Sequence, residues 1–246
     1  MKILYFSATG NSRHVAERIA EPTGGSVVSI VDCIRQGYYQ FADEAIGVVS
    51  PTFYYGLPSL VYDFLKKAEI KADYYFLVST YGSSPTATVN IPGRKPDAIA
   101  SVRMPDTWTP RFDLSTPEKV ALFTTTTEED IANTIAMVGN RVHGNQQRRK
   151  TSAIFGRVAY MLYDSARATR HLSASDSCIG CGLCAKQCPV QAIEMKDKRP
   201  VWVKSRCAMC LSCLHHCPKF AIQYDGGKAT RKHGQYTFKS KNHSKR

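Results

Sequence analysis

The stretch CIGCGLCAKQCP at residues 178–189 returns as CAMCLSCLHHCP at residues 207–218. Each copy has three cysteines separated by two residues, a fourth cysteine three residues further on, and a proline directly after it. Thiolate sulfur is a soft ligand that suits iron–sulfur cores, and two-residue gaps let one tight loop direct three sulfurs at one cluster. Eight of the nine cysteines are therefore predicted metal ligands: Cys178, Cys181, Cys184, Cys188, Cys207, Cys210, Cys213 and Cys217.

Residues 178–225 resemble a clostridial-type ferredoxin with two [4Fe-4S] clusters. In this bacterial pattern the fourth cysteine of each run binds the cluster of the other run. The resemblance implies two crossed ligand sets, Cys178, Cys181, Cys184 and Cys217 for one cluster and Cys207, Cys210, Cys213 and Cys188 for the other. The motif Pro-x2-Ala-Ile also recurs after both runs, as expected for the pseudo-symmetric α+β fold of such a domain.

Zinc and disulfide bonds are the alternatives for these cysteines. Zinc sites built from paired CxxC units leave the third cysteine and the Cys-Pro ending unexplained. Disulfides need an oxidising compartment, and the apolar run Ile3–Phe6 is too short for a signal peptide. We therefore expect a cytoplasmic protein without a membrane span. His215 and His216 are not needed as ligands, and Cys33 is expected to be a buried thiol.

The N-terminal residues predict a strand, a hydroxyl-rich loop and a helix. The apolar run Ile3–Phe6 leads into Ser7-Ala8-Thr9-Gly10-Asn11-Ser12, and a helix follows as far as Ala20. Backbone N–H groups and the helix dipole can hold a phosphate in this geometry, and Gly10 allows close approach. The loop has no lysine, which separates it from a Walker loop. The alternative is a loop that binds another anion or none. The candidate phosphate ligands are Ser7, Thr9, Gly10, Asn11 and Ser12.

This loop resembles the FMN phosphate site of flavodoxins, and two later loops resemble the pair that holds the flavin ring. They follow the predicted strands 45–50 and 74–79, and their candidate cofactor-binding residues are Pro51, Thr52, Phe53, Tyr54, Tyr55, Gly56, Thr80, Tyr81 and Gly82. The resemblance implies an α/β flavodoxin-like doubly wound parallel sheet with FMN at the carboxyl ends of its strands. The alternative is that the aromatic rings only pack. Residues 87–100 contain two prolines where flavodoxins have a full helix, so an irregular segment is expected.

The predicted organisation is a flavodoxin-like domain (1–140), a basic helical connector (141–172), a small α+β two-cluster ferredoxin domain (173–226) and a basic tail (227–246). The connector should contain a helix with one apolar face. We expect this face to pack on a domain, and the alternative is a basic amphipathic helix on a membrane surface. The face consists of Ile154, Phe155, Val158, Met161 and Leu162.

Positive charge is concentrated in the second half of the chain. The net charge of +13 divides into −3 for residues 1–140 and +16 for residues 141–246. A basic surface suits an acidic redox partner, so an acidic ferredoxin or a reductase is the expected partner class. The tail is expected either to dock such a partner or to be solvated, and the absence of a nucleic-acid-binding motif argues against a nucleic-acid partner.

Together the two resemblances cover nearly the whole chain, which is therefore similar to flavodoxin–ferredoxin fusions of anaerobes. They imply an electron carrier that passes single electrons between two [4Fe-4S] clusters and FMN, linking a low-potential donor to a redox partner. The alternative is a ferredoxin-dependent flavin reductase acting on a quinone or another small electrophile. No G-x-G-x-x-G follows a strand, and no catalytic acid–base pair stands out.

Overall fold

Six parallel strands form the central sheet of the N-terminal half. The computed structural model describes residues 1–238, and the part of the predicted basic tail beyond residue 238 lies outside the described residues. The strands of this half are β1 (Lys2–Tyr5), β2 (Ser26–Ser29), β3 (Gln40–Ala42), β4 (Ala45–Pro51), β5 (Glu69–Lys71), β6 (Tyr74–Tyr81), β7 (Ala98–Arg103) and β8 (Gly144–Asn145). The helices are α1 (Asn11–Ala20), α2 (Ile30–Gln36), α3 (Ser59–Lys67), α4 (Pro117–Ala121) and α5 (Thr127–Gly139).

The sheet has the order β2-β1-β4-β6-β7-β8, and every neighbouring pair is parallel. Strands β3 and β5 form a separate parallel pair. Alternate residues of each strand face opposite sides, so Ile3 packs with α1 and α5 whereas Leu4 packs with α2 and α3. Burial on both faces explains the almost continuous apolar sequences of β4 and β6. The predicted flavodoxin-like doubly wound fold is confirmed.

Two details differ from the sequence prediction. The sheet continues past residue 140, because β8 pairs with the start of β7. The segment 87–100, expected to be irregular, ends in the first residues of β7, which begins at Ala98, and otherwise contains only a single turn of 3-10 helix at Thr88–Asn90. Pro92 and Pro96 fix the backbone and remove amide donors there, so a full helix cannot form.

The connector forms α6 (Ala153–Ala166), but its packing face is opposite to the predicted one. Gly156, Ala159 and Tyr163 are buried, while the predicted apolar face is exposed, Ile154 by 79% and Met161 by 75%. The small residues allow close approach: a Cβ on Gly156 would lie 2.5 Å from the Cβ of Ala87. The expectation that the apolar stripe packs on a domain was therefore wrong.

The C-terminal half contains two short antiparallel strand pairs. Its elements are β9 (Leu172–Ala174), α7 (Leu183–Gln187), β10 (Ile193–Lys196), β11 (Arg199–Trp202), α8 (Ser212–His215), β12 (Ile222–Tyr224) and α9 (Thr230–His233). β10 pairs with β11 and β12 with β9. Leu172, Ile193, Leu214 and Ile222 lie in its core. Within residues 1–238, no helix is long and apolar enough to cross a membrane.

Candidate functional site

A large cavity lies at the carboxyl edge of the parallel sheet, where ligands bind in folds of this kind. It has a volume of about 1200 Å³ including its part open to solvent. Eleven of the fourteen predicted cofactor-binding residues line it: Ser7, Thr9, Asn11, Ser12, Pro51, Thr52, Phe53, Tyr54, Tyr55, Thr80 and Tyr81. The sheet thus brings together three loops that are far apart in the sequence.

The hydroxyl-rich loop is held in place by its own polar side chains. The amide of Gly10 donates to the Ser7 hydroxyl at 3.1 Å, and the hydroxyl oxygens of Ser12 and Thr80 lie 2.7 Å apart. The Asn11 amide nitrogen donates to the Pro105 carbonyl at 3.0 Å. Gly10 has φ 101° as it enters α1, a conformation that L side chains rarely adopt. A hydroxyl-lined loop at the N-terminus of a ten-residue helix fits a phosphate group.

Tyr54 and Tyr55 occupy a strained turn at the cavity wall. Phe53 and Gly56 exchange two backbone hydrogen bonds of 2.8 and 2.9 Å, which leaves the two tyrosines as the centre of a tight turn. Both have positive φ, 49° and 62°, where turns of this type prefer Asn-Gly. Such strain costs on the order of 1–3 kcal/mol per residue and concentrates at functional sites. The aromatic identity of this turn therefore points to ring contacts with a ligand.

Three predicted glycines lie outside the cavity lining but make close contacts behind it. Gly10 contacts Phe238, and Gly82 lies against Asp106. Gly56 faces the ring of Tyr160, where a Cβ would approach within 2.3 Å. These glycines position the loops through close packing.

A fourth loop from the sheet edge was missed as a cofactor contact. Residues 104–108 follow β7, and their side chains line the cavity together with Arg111 and Phe112. Burial raises the pKa of Asp106, whose carboxylate accepts from the Trp108 amide at 3.2 Å and the Ser83 hydroxyl at 3.4 Å. The signal was present in the sequence, because this loop leaves the same edge of the sheet as the others.

Tyr163 of α6 connects the cavity wall to the C-terminal half. Its ring stacks on Tyr54 with centroids 5.6 Å apart, and its hydroxyl donates to the Ala208 carbonyl at 2.7 Å. Burial raises the pKa of Tyr163, so the hydroxyl remains protonated and able to donate. Ala208 in turn belongs to the core cluster of the parallel-sheet domain. This contact between the two halves could not be read from the sequence.

The eight predicted cysteine ligands surround two separate cavities. Cys178, Cys181, Cys184 and Cys217 line one, and Cys188, Cys207, Cys210 and Cys213 line the other. Each cavity thus takes three cysteines from one run and the fourth from the other run. Within residues 1–238, no group of three or more His, Cys, Asp or Glu side chains is arranged to hold a metal ion. A cubic cluster needs its four sulfurs apart at its corners, so four cysteines lining a cavity is the relevant arrangement for it.

Apolar surroundings and backbone amides complete both cysteine cavities. The amides of Ala192 and Ala221 donate to the sulfurs of Cys188 and Cys217, each at 3.2 Å, in equivalent places of the two repeats. Burial raises the pKa of the Cys210 thiol to about 12. An iron–sulfur core would supply the positive charge that keeps such a buried sulfur as thiolate, so the donor set fits the group.

The second cysteine cavity, lined by Cys188, Cys207, Cys210 and Cys213, adjoins the large cavity at the carboxyl edge of the sheet, which we call the flavin-type cavity. Met209, Cys210 and Leu211 line both cavities. Met209 and Leu211 have positive φ, 56° and 53°, whereas the equivalent positions of the first run are Gly180 and Gly182. The second run thus has Met209 and Leu211, where the first run has glycine, at the two left-handed positions beside the place where the cavities meet.

The beginning of the tail runs back across both domains. The Gln235 amide nitrogen donates to the carbonyls of Leu214 and Cys217 at 2.6 and 2.8 Å. The Tyr236 hydroxyl lies 3.1 Å from the Asn11 amide oxygen, and the Phe238 amide donates to the Thr9 carbonyl at 2.7 Å. We call residues 234–238 the strap. The tail was predicted to be solvated or to dock a partner. Over the strap it instead forms part of the wall behind the hydroxyl-rich loop of residues 7–12.

His215 supports the strap and is not a cysteine-cavity ligand. Its Nε2 lies 2.8 Å from the Thr107 carbonyl and its Nδ1 accepts from the Tyr236 amide at 3.1 Å. Burial lowers the pKa of His215 to about 4, so the imidazole is neutral and can donate and accept at once. Cys33, the ninth cysteine, is buried in α2.

Fold and site together define a redox protein that joins a flavin-type site to iron–sulfur sites. A model of the flavodoxin domain matches residues 2–132, and a model of the 4Fe-4S dicluster domain matches residues 171–218. The chain therefore belongs to the flavodoxin domain family and carries a 4Fe-4S dicluster domain behind it. These domains support an electron-transfer role with iron–sulfur clusters and a flavin.

Two relatives with ferredoxin-type names match part of this chain. A ferredoxin of Pyrobaculum islandicum is 35% identical over 79 residues, covering 30% of this chain and 72% of that protein. An uncharacterized polyferredoxin-like protein of Methanocaldococcus jannaschii is 40% identical over 58 residues, covering 18% of this chain and only 34% of that relative.

Two solved structures are similar to part of this chain at low sequence identity. A flavodoxin from the domain Archaea is 18% identical with a TM-score of 0.25, covering 55% of this chain and 99% of that one. The Trp repressor binding protein from Bacillus subtilis is 10% identical with a TM-score of 0.22, covering 34% of this chain and 64% of that one.

Proposed function

We propose that this protein passes single electrons between two [4Fe-4S] clusters and a bound FMN, and so connects a low-potential donor to a redox partner. The observation that carries the proposal is the position of Cys210, which lines both the flavin-type cavity and one cysteine cavity. When bound, the clusters exchange one electron at a time and the flavin one or two, and the protein supplies binding, orientation and electrostatics.

The phosphate group is the part of FMN for which the chain has a dedicated loop. Ser7, Thr9 and Ser12 offer hydroxyl donors at the N-terminus of α1, and the ring would lie against Tyr54 and Tyr55. The strap closes the far side of the loop through the Phe238 amide. FMN should therefore bind more tightly than riboflavin, which lacks the phosphate.

The two cysteine cavities have different roles in this proposal. Cys188 and Cys207 are buried, whereas Cys181 of the other set is exposed. Exchange with an external partner would thus occur at the set containing Cys181, and exchange with the flavin at the set containing Cys210.

Charge favours an acidic partner at the outer cysteine set. Lys186, Lys198 and Lys219 are exposed near it, and Lys219 lines its cavity. Opposite charges mainly raise the encounter rate of small, transient redox contacts. An acidic ferredoxin or a reductase is the partner class that fits, in the reducing cytoplasm where cysteines serve metals.

Cofactor analysis of the anaerobically reconstituted protein tests the proposal. We expect about eight iron and about eight acid-labile sulfide per chain, together with one FMN. Cys217→Ser should damage the cluster of Cys178, and Cys213→Ser the cluster of Cys188. Only the second change should slow flavin reduction within the molecule after reduction of the remaining cluster.

One variant serves as the control for these measurements, and two results would refute the proposal. Cys33→Ser, at the buried cysteine outside both sets, should leave iron and sulfide unchanged. Zinc without labile sulfide would refute the cluster assignment. Flavin reduction that is equally fast in Cys213→Ser and in the unchanged protein would refute the proposed route.

A flavin reductase acting on a quinone or another small electrophile is the second candidate. It is favoured by Trp108, Arg111 and Phe112, which give the same cavity aromatic surface for a planar acceptor and a cation that would stabilise the negative charge the acceptor gains on reduction. Catalytic turnover of such an acceptor with reduced ferredoxin, abolished in Arg111→Gln while exchange between the cofactors persists, would establish it over a simple carrier.

A further inference from the structure

The apolar stripe of α6 faces away from the rest of the protein. Its five side chains are exposed by between 55% and 79%: Ile154, Phe155, Val158, Met161 and Leu162. The helix is nevertheless anchored on its other side, where the Tyr160 hydroxyl donates to the Leu57 carbonyl at 2.7 Å. A contiguous exposed apolar surface on an anchored helix marks an interaction site.

The charges around the stripe are positive. Arg149 and Lys150 precede the helix and are exposed, as is Arg157 within it. The one acidic residue of the connector, Asp164, is paired with Arg167 and Arg206. The charges of the connector itself therefore attract an anionic partner, and its single carboxylate is already paired.

A second copy of the chain fits this surface poorly. Fully burying an aliphatic side chain corresponds to about 60–120 Å², so five residues exposed by 55–79% offer roughly 200–400 Å² of apolar surface. A stable protein–protein interface needs about 800 Å² from each partner, of which more than half, about 450 Å², is apolar. Two copies would also bring together halves that each carry a charge of +16. Like charges at that contact oppose association.

We propose that α6 docks the protein on the surface of a bilayer that contains anionic lipids. An interfacial helix of this kind buries its apolar face at the boundary of headgroups and acyl chains while flanking Lys and Arg contact the anionic headgroups. The helix would lie in the plane of the surface, since it is too short to span it.

Docking would bring the flavin-type cavity close to the lipid. The rings of Phe155 and Tyr55 are 4.9 Å apart in an edge arrangement, and Tyr55 lines the cavity. Phe155 of the stripe is thus in direct contact with Tyr55 of the cavity wall. The docking proposal itself does not depend on which cofactor the cavity holds.

Co-sedimentation of the anaerobic holoprotein with vesicles tests the proposal. Vesicles of phosphatidylcholine alone are compared with vesicles that also contain phosphatidylglycerol, and binding is expected only to the second. Ile154→Gln and Met161→Gln should each weaken binding about tenfold through lost apolar transfer. Lys150→Gln and Arg157→Gln should each weaken it about fivefold.

Leu122→Gln is the matched control, because Leu122 is 66% exposed but caps the C-terminus of α4 and is not part of the stripe. It should bind anionic vesicles like the unchanged protein. All variants replace exposed side chains, and unchanged iron, sulfide and flavin content verifies their folding. Absent binding, equal binding to both vesicle types, or equal loss in Leu122→Gln would overturn the proposal. So would a dimer in sedimentation velocity that Ile154→Gln dissociates, since the stripe would then bind a second copy.

Discussion

Removing the hydroxyl of Tyr163 should loosen the contact between the two halves of the molecule. This hydroxyl donates to the Ala208 carbonyl at 2.7 Å and lies 3.4 Å from the Ser59 amide, and the residue is only 3% exposed. Tyr163→Phe leaves the Ala208 carbonyl without this partner, and a buried unsatisfied polar group costs about 1–3 kcal/mol. Since 1.4 kcal/mol is a factor of ten, opening of this contact should become about 5- to 140-fold more frequent.

Hydrogen exchange of the anaerobic holoprotein measures that opening at residues 207–211. Tyr160→Phe is the matched control, because its hydroxyl also donates to a backbone carbonyl at 2.7 Å but reaches Leu57 instead of Ala208. We expect faster exchange at residues 207–211 in Tyr163→Phe alone, with slower electron exchange between flavin and clusters. Equal exchange at these residues in both variants would refute the role of Tyr163 in joining the halves.

Three further changes test the flavin-type cavity. Asn11→Ala removes contacts to the Pro105 carbonyl and the Tyr236 hydroxyl, so FMN affinity should fall about tenfold or more and riboflavin affinity less; equal losses in a fluorescence titration would argue against a phosphate site. Met209→Gly relieves a left-handed backbone conformation that costs about 1–2 kcal/mol, but it deletes a buried side chain worth about 1.5–3 kcal/mol, so stability in urea should change little. The flavin fluorescence should become more accessible to an added quencher, and unchanged quenching would contradict shielding by Met209. Asp106 has a raised pKa in the folded state, so its contribution to stability is present at low pH and is lost as pH rises through the folded pKa. Asp106→Asn should therefore gain urea stability relative to the unchanged protein at about pH 7 compared with about pH 4, which is near the pKa of an unperturbed aspartate, and a difference that is constant with pH would contradict this.

The sequence was most informative where chemistry demands fixed spacing. Hydrophobic runs followed by polar loops predict β1, β4 and β6, and the cysteine spacing marks both runs, because a sheet edge and a cluster each need particular residues in order. The packing direction of α6 could not be derived in this way. Its apolar stripe is the stronger periodic signal, yet the anchored face uses Gly156, Ala159 and two tyrosines, whose contacts depend on a partner surface distant in sequence.

The position of the strap could not be predicted from the sequence for a related reason. Gln235, Tyr236 and Phe238 stand among basic residues, so composition indicates a solvated tail. Their actual contacts are backbone carbonyls and a buried loop, which no local pattern encodes. Charge counts describe what an exposed segment can attract, but they do not show where its uncharged residues lie.

The difference between the two cysteine runs shows how the repeat is adapted to its neighbour. At the two left-handed positions the first run has Gly180 and Gly182, the residues that adopt this conformation without strain, and Cys181 between them is exposed. The second run has Met209 and Leu211 at the same positions, although each costs about 1–2 kcal/mol there. Both side chains are almost fully buried and line the flavin-type cavity, so burial offsets the strain. Glycine at these positions would remove the side chains that flank Cys210 where the two cavities meet. The strained residues therefore exclude solvent from the region through which electrons would pass, which a run facing solvent does not need.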